Sequence, residues 1–390
     1  MSARLLVLLV LAAPVGAAVQ AMDEPSLFAP LSTLAVGART GDVVLADVDR
    51  DGHLDLITVH PGGTLTVRIG DGRGGFTSAG RGPLALPPGG GAIAVGDVTG
   101  DDVPDLVVAS RDGEREYVDV LIGDGSGRFQ VESRSRYTTA TAFAYYKPVF
   151  HLVDLNADGH TDIVSANGRR NTIEILLGDG RGGFTIAEDV TLEADGDFFT
   201  SAVADMDGDG RVDIVWTSSR GRDAGRVFVR RGDGSGRFTA SRAVATVPSG
   251  PRVAALGDVN GDARADIVVT HAETNLLSVL VNTGAGEFEP VPGSPHELTH
   301  EAFEVRLADV NRDGRTDLVA ATVNSRMPPH ESGVVVMVGG DRGLAPAPGS
   351  PLPVRPGAYH LAVGDLDEDG RTDLIASSFE SDSIGVLMGR

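Results

Sequence analysis

Asp205-Met206-Asp207-Gly208-Asp209-Gly210-Arg211-Val212-Asp213 is nine residues long and carries four carboxylates, at positions one, three, five and nine. Like charges packed this closely repel, so they converge only around a cation. A ligand set made of oxygen alone, with several aspartates, selects a hard ion, Ca²⁺ before Mg²⁺. Gly210 at position six permits a sharp turn, because glycine takes positive φ without a steric penalty. Position seven is then expected to offer its carbonyl, and Asp213 a bidentate carboxylate.

The pattern occurs seven times, at 47–55, 97–105, 154–162, 205–213, 258–266, 309–317 and 365–373, with steps of 50 to 57 residues. A period near fifty marks a repeat architecture. An EF-hand loop opens in the same way but requires Glu at position twelve and flanking helices. Here Asp at position nine runs into short β-branched segments such as Ile214-Val215-Trp216-Thr217, which read as strands. The candidate ligands by loop are Asp47, Asp49, Asp51 and Asp55; Asp97, Thr99, Asp101 and Asp105; Asp154, Asn156, Asp158 and Asp162; Asp205, Asp207, Asp209 and Asp213; Asp258, Asn260, Asp262 and Asp266; Asp309, Asn311, Asp313 and Asp317; Asp365, Asp367, Asp369 and Asp373. Up to seven Ca²⁺ are therefore expected.

Outward from each loop, a repeat reads as four short strands. The third ends in a glycine-rich hairpin with an apolar anchor: GDGRGGF at 70–76, GDGSGRF at 123–129, GDGRGGF at 178–184 and GDGSGRF at 232–238. It weakens to NTGAGEF at 282–288 and GGDRGL at 339–344. Seven four-stranded units without helical periodicity predict an all-β, seven-bladed propeller over residues 22–390. The last repeat stops after its third strand, whereas Phe28 to Leu34 read as a fourth strand without a blade. That N-terminal strand is expected to complete the seventh blade and leave no open edge.

These loops and hairpins resemble the FG-GAP/VCBS repeat proteins, among them the propellers of integrin α-chains. The resemblance spans residues 22–390 and implies a seven-bladed propeller with Ca²⁺ between strands one and two. Loop two departs from the pattern with Thr99 at position three and Asp102 at position six. Loop five has Ala263 at position six, where positive φ strains a residue with a Cβ. These two sites are expected to be the weakest.

Arg4, the apolar run Leu5 to Ala13 and the small residues up to Ala21 read as a secretory signal peptide over 1–21, too short to span a membrane. Export to a bacterial periplasm, cell surface or medium is expected. No cysteine is present, so calcium takes the place that disulfides hold in other exported folds. The formal charge of −22 argues against nucleic acid or an anionic membrane as partner. The seven loops hold 26 of the 55 acids, so that acidity is largely a property of the metal loops. A closed ring is expected to be a monomer.

Two short motifs compete with plainer readings. His296-Glu297-Leu298-Thr299-His300 matches the HExxH pattern of zinc proteases, which requires a helix. The segment aligns with Leu352-Pro353-Val354-Arg355-Pro356, so an extended chain is expected. Arg231-Gly232-Asp233 is an RGD tripeptide inside a repeated hairpin, where Gly-Asp-Gly is the turn.

Five residues before each loop stand Asp42, Ala92, Val149, Thr200, Val253, Glu304 and His360; three before stand Val44, Ala94, His151, Ala202, Ala255, Arg306 and Ala362. The polar members are read as satisfied groups at blade junctions in preference to a pocket at the channel mouth. Two insertions, Gln130–Pro148 with Phe143, Tyr145, Tyr146 and Lys147, and Asn324–Gly333 with Arg326, Met327, His330 and Glu331, fall on the face away from the metal loops. The expected function is a binding or adhesion module for an extracellular protein or carbohydrate, without chemistry of its own. The alternative is a polysaccharide hydrolase or lyase working at the channel mouth.

Overall fold

The computed structural model describes residues 26–37, 39–80, 82–86, 91–112, 115–139, 149–167, 172–187, 197–219, 223–324, 332–340, 343–354, 358–378 and 380–390. Every regular element among them is a β-strand, and the strands form seven antiparallel sheets. Blade one shows the common order. Asp42–Ala46 lies innermost, followed outward by Asp55–His60, Thr64–Gly70 and Phe76–Ser78. Each nine-residue loop joins a first strand to a second, and the aspartate at position nine opens that second strand.

The innermost strands are Asp42–Ala46, Ile93–Gly96, Val149–Val153, Asp197–Ala204, Pro251–Gly257, Glu301–Ala308 and His360–Gly364. Each touches the next around a ring, and the seventh touches the first. The chain is thus a seven-bladed β-propeller, as its period predicted.

Closure uses the N-terminal segment. Ser32–Ala35 lies antiparallel to Ser383–Leu387, with Ser32 opposite Val386 and Ala35 opposite Ser383. The pairing extends to Phe28 opposite Gly389, and the Ala29 N–H donates to the Met388 carbonyl at 2.7 Å. Phe28 is buried in the core between blades six and seven. One end of the chain therefore supplies the outer strand that the other end lacks.

The hydrophobic core is divided rather than central. Seven apolar clusters are found, one at each junction between neighbouring blades. Period-two strands bury alternate side chains on both sheet faces, so each blade contributes to two clusters. Val215 packs toward blade five, whereas Ile214 and Trp216 pack toward blade three. Trp216 stacks on Phe228, with ring centroids 5.3 Å apart.

Three blades carry an additional two-residue strand against their third strand: Leu84–Ala85, His296–Glu297 and Leu352–Pro353. Each runs directly into a buried apolar residue, Leu86, Leu298 or Val354, that anchors the link to the next blade. The HExxH segment is consequently extended, as its alignment with the Pro-rich repeat predicted.

Removing residues 26–35 should expose the Ser383–Leu387 edge and the pocket left by Phe28. Size-exclusion chromatography and thermal melting should show aggregation or a lowered melting temperature. A truncated protein that stays monomeric and melts with the parent would contradict closure by this strand.

Candidate metal centres

All seven nine-residue loops share one backbone conformation. The carboxylate at position one accepts the N–H of position six at 2.7–2.9 Å in every copy. Positions four and six both take positive φ in every copy, including Asp102 at 62° and Ala263 at 63°. Loops two and five thus keep the turn despite lacking glycine at position six, and Ala263 bears the strain its Cβ predicts. The left-handed position four escaped the sequence reading, because Arg50, Ala157, Arg312 and Glu368 stand there in four copies.

The ninth carboxylate is the most constrained group of the loop. In all seven copies it is buried. One oxygen accepts the N–H of position two at 2.7–3.0 Å. The other accepts the N–H of the residue that closes the third strand, at 2.7–2.9 Å. Asp213 therefore ties Met206 to Gly232 across the blade. The bidentate ligand expected at this position is also a structural cross-link, and a carboxylate oxygen that accepts one N–H retains a second lone pair for an ion.

Burial pushes the carboxyl of Asp55, Asp105, Asp162, Asp213, Asp266, Asp317 and Asp373 above the usual range, against the pull of two backbone N–H groups. It reaches about 6 for Asp213 and Asp266. At Asp205 burial also acts upward, but the N–H groups of Gly210, Gly208, Asp207 and Asp209 outweigh it and hold the carboxyl below its ordinary value.

Position two also escaped the sequence reading. Val48, Val98, Leu155, Met206, Val259, Val310 and Leu366 are all buried, and each enters the core toward the following blade. The carbonyl of that residue meets the next blade's hairpin: Gly127 N–H reaches Val48 O at 3.1 Å, and Gly74 N–H reaches Leu366 O at 2.9 Å. In blade five, the Asn282 side chain makes the equivalent contact to Met206 O at 2.9 Å.

The opening glycine of the hairpin is set by close approach: a Cβ on Gly232 would lie 2.2 Å from the Val212 carbonyl oxygen. Blade five carries Asn282 at this point and has a shift in strand register immediately beyond it.

The geometry brings three of the four predicted ligands together. One oxygen each from Asp47, Asp49 and Asp55, from Asp205, Asp207 and Asp213, and from Asp365, Asp367 and Asp373 lie within 4.8 Å of one another. These acidic groups could hold a metal ion. Position five stands apart from the trios. Its carboxylate accepts the N–H of position seven, as in Asp209 with Arg211 at 2.9 Å, and pairs with arginines such as Arg371 and Arg264. Loops three, five and six place Asn at position three, and its amide donates to the aspartate at position five. In loop two, the Thr99 hydroxyl donates to Asp97 and Asp105.

The other sequence signals resolve differently. Arg231 of the RGD tripeptide pairs with Asp207 at 3.0 Å and donates to Ala285 O, while Asp233 caps its own turn. The tripeptide is thus built into the ring. His151 Nε2 donates to the Ser201 carbonyl at 2.9 Å across the blade three–four junction, and its burial lowers its basicity. Glu304 Oε2 accepts the Leu361 N–H across the junction between blades six and seven.

Residues 1–21, expected from the sequence to be a signal peptide, and the insertion residues Phe143, Tyr145, Tyr146, Lys147, Arg326, Met327, His330 and Glu331 lie outside the described residues. No helix among the described residues is long and apolar enough to cross a membrane.

On the face opposite the nine-residue loops there is a cleft of about 330 Å³ between blades five and six. Thr274 and Asn275 reach it from a turn of blade five, His300 and Glu301 from the entry to blade six, and Asn324 from the end of a blade six strand. Beneath it Arg252 pairs with Glu301 at 2.6 Å and lies over the Phe303 ring.

The FG-GAP-like repeat model matches residues 47–108, 154–216, 205–269 and 258–320, more than half of the chain. The chain belongs to the FG-GAP-like repeat family. No curated protein matches it. Among solved structures it is similar to BBS1N, taken from a complex with ARL6DN, at 14% identity and a TM-score of 0.60, covering 94% of this chain and 97% of that one. It is also similar to an Agrocybe aegerita lectin at 17% identity and a TM-score of 0.58, covering 88% and 86% respectively. At these identities the likeness concerns the fold.

Two outcomes follow for this FG-GAP chain. Asp213→Ala leaves two buried N–H groups without acceptors, a loss of about 2–5 kcal/mol that should persist in chelator. Asp266→Ala should cost as much, because its two hydrogen bonds are the same. Chemical denaturation measures both, and a loss confined to metal-loaded protein would contradict the cross-link. Ala263→Gly relieves a left-handed alanine and should stabilise the fold by about 0.5–1 kcal/mol, read as a rise in the denaturation midpoint.

Proposed function

We propose that this FG-GAP propeller is an exported, calcium-stabilised binding module whose ligand, a carbohydrate, docks in the cleft between blades five and six. The observation that carries the reading is that cleft, which Thr274, Asn275, His300, Glu301 and Asn324 line where blades five and six meet. Hydroxyl, amide, imidazole and carboxylate groups at one mouth match the alternating donors and acceptors of a sugar. Asn275 is already fixed by its amide, which donates to Leu298 O at 2.8 Å. A propeller of the same fold, the Agrocybe aegerita lectin, is described as recognising non-reducing terminal N-acetylglucosamine.

The metal part of the reading rests on the loop geometry. Carboxylates at positions one, three and nine, with further oxygen from position five and from Asn156, Asn260 and Asn311, make a hard-ion ligand set. Calcium at the loops would draw together charges that otherwise repel, and would lock the junction that each position-two residue enters. A ligand binding only the folded state adds about 1.4 kcal/mol per site at tenfold saturation. Seven sites would then supply roughly 10 kcal/mol, the scale of a whole domain's stability.

Chelation should accordingly lower the melting temperature by tens of degrees, with recovery on adding Ca²⁺. An unchanged melting curve would overturn the calcium reading. Glycan-array screening of the calcium-loaded protein tests the ligand. Binding to a defined sugar should fall at least tenfold in Asn275→Ala and His300→Ala, in protein whose circular dichroism shows it still folded. Retention only of an extracellular protein, or sugar binding indifferent to both substitutions, would contradict the cleft assignment.

A further inference from the structure

Asp42, Glu304 and His360 stand at the same place in three consecutive repeats, five residues ahead of the first aspartate of their loops. Blades six, seven and one are neighbours around the ring, so the three residues meet on the innermost strands. Each offers one ligand atom, and those atoms lie within 4.8 Å of one another. Residues at this height in the remaining blades are Ala92, Val149, Thr200 and Val253, none of them charged.

We propose that these three side chains form a second kind of metal site, one per chain, which takes a divalent transition ion such as Zn²⁺ or Mn²⁺ on the wall of the central channel.

The donor chemistry separates this site from the nine-residue loops. Those loops offer oxygen alone, which suits a hard ion; two carboxylates with an imidazole suit a borderline ion. Asp42 and Glu304 are buried, and the His360 side chain is 15% exposed. An ion here would thus be anchored on the wall while keeping positions open toward the channel, the arrangement of sites that bind water or a further ligand.

The supporting contacts are in place. The Val43 and Ile93 N–H groups donate to Asp42 at 2.8 and 3.0 Å and fix its carboxylate between blades one and two. Arg306 takes Glu304 Oε1, while Oε2 accepts the Leu361 N–H at 3.2 Å and faces His360 Nδ1 at 3.1 Å. Two ligands about 2.1 Å from one ion are separated by about 3.0 Å at a right angle and about 3.4 Å at a tetrahedral one, which brackets the 3.1 Å found here. The ion would therefore take the place of the proton between Nδ1 and Oε2, with Asp42 as the third ligand. Hydrogen bonds of this kind, made to the ligands themselves, orient them toward an ion.

The test uses the full chain with Ca²⁺ in large excess, so that the nine-residue loops are saturated. Isothermal titration with Zn²⁺, and separately Mn²⁺, should show one further equivalent. His360→Gln and Asp42→Asn should each weaken that step at least tenfold, whereas His296→Gln, in the short strand His296–Glu297 of blade five, should leave it intact. Pulsed electron paramagnetic resonance of the Mn²⁺-loaded parent should show coupling to one imidazole nitrogen, a readout that requires no variant to fold. Absence of the additional equivalent, its persistence in both His360→Gln and Asp42→Asn, or a manganese spectrum without nitrogen coupling would overturn the site.

Discussion

A buried carboxylate bonded to two backbone N–H groups is the contact on which the rest of this propeller depends. The ninth aspartate of each loop ties the loop to the end of the third strand of its own blade. The same aspartate fixes position two, whose side chain enters the core toward the next blade. In the first, fourth and seventh loops it also offers an oxygen to the acidic trio. Removing a charge from water is costly unless hydrogen bonds or a counter-ion compensate. Here two N–H groups compensate in part, and burial still holds the carboxyls of Asp213 and Asp266 above their ordinary value. A cation would supply the rest.

A cation bound there would couple metal chemistry to assembly. A propeller has no central core, so its stability is a sum over junctions between neighbours. Each junction here combines an apolar cluster, a position-two residue and, at five of them, a hydrogen bond from the following blade to the position-two carbonyl. The seventh junction closes only because Phe28 and Ser32–Ala35 return to the last blade. The ring is thereby a cooperative object built from weak, repeated contacts.

Much of this was legible in the sequence because repetition removes ambiguity. The fifty-residue period, the loops and the missing outer strand are properties of spacing, and spacing needs no structure. Position two was overlooked since any apolar residue satisfies it and only the interblade packing reveals its direction. Position four was overlooked since Arg50, Ala157, Arg312 and Glu368 do not advertise a left-handed backbone. The double role of Asp213 was hidden because its partner, Gly232, lies nineteen residues away in a different strand. Asp42, Glu304 and His360 were visible as a column, but their convergence required the ring to place blade seven beside blade one. The cleft between blades five and six draws on three separate segments and has no local signature.

The most direct test of this account is the calcium content of the purified full-length protein at equilibrium. Dialysis against micromolar Ca²⁺ followed by atomic emission should give five to seven ions per chain, with loops two and five the last to fill. A protein that carries no calcium under these conditions, yet remains a folded monomer, would contradict it.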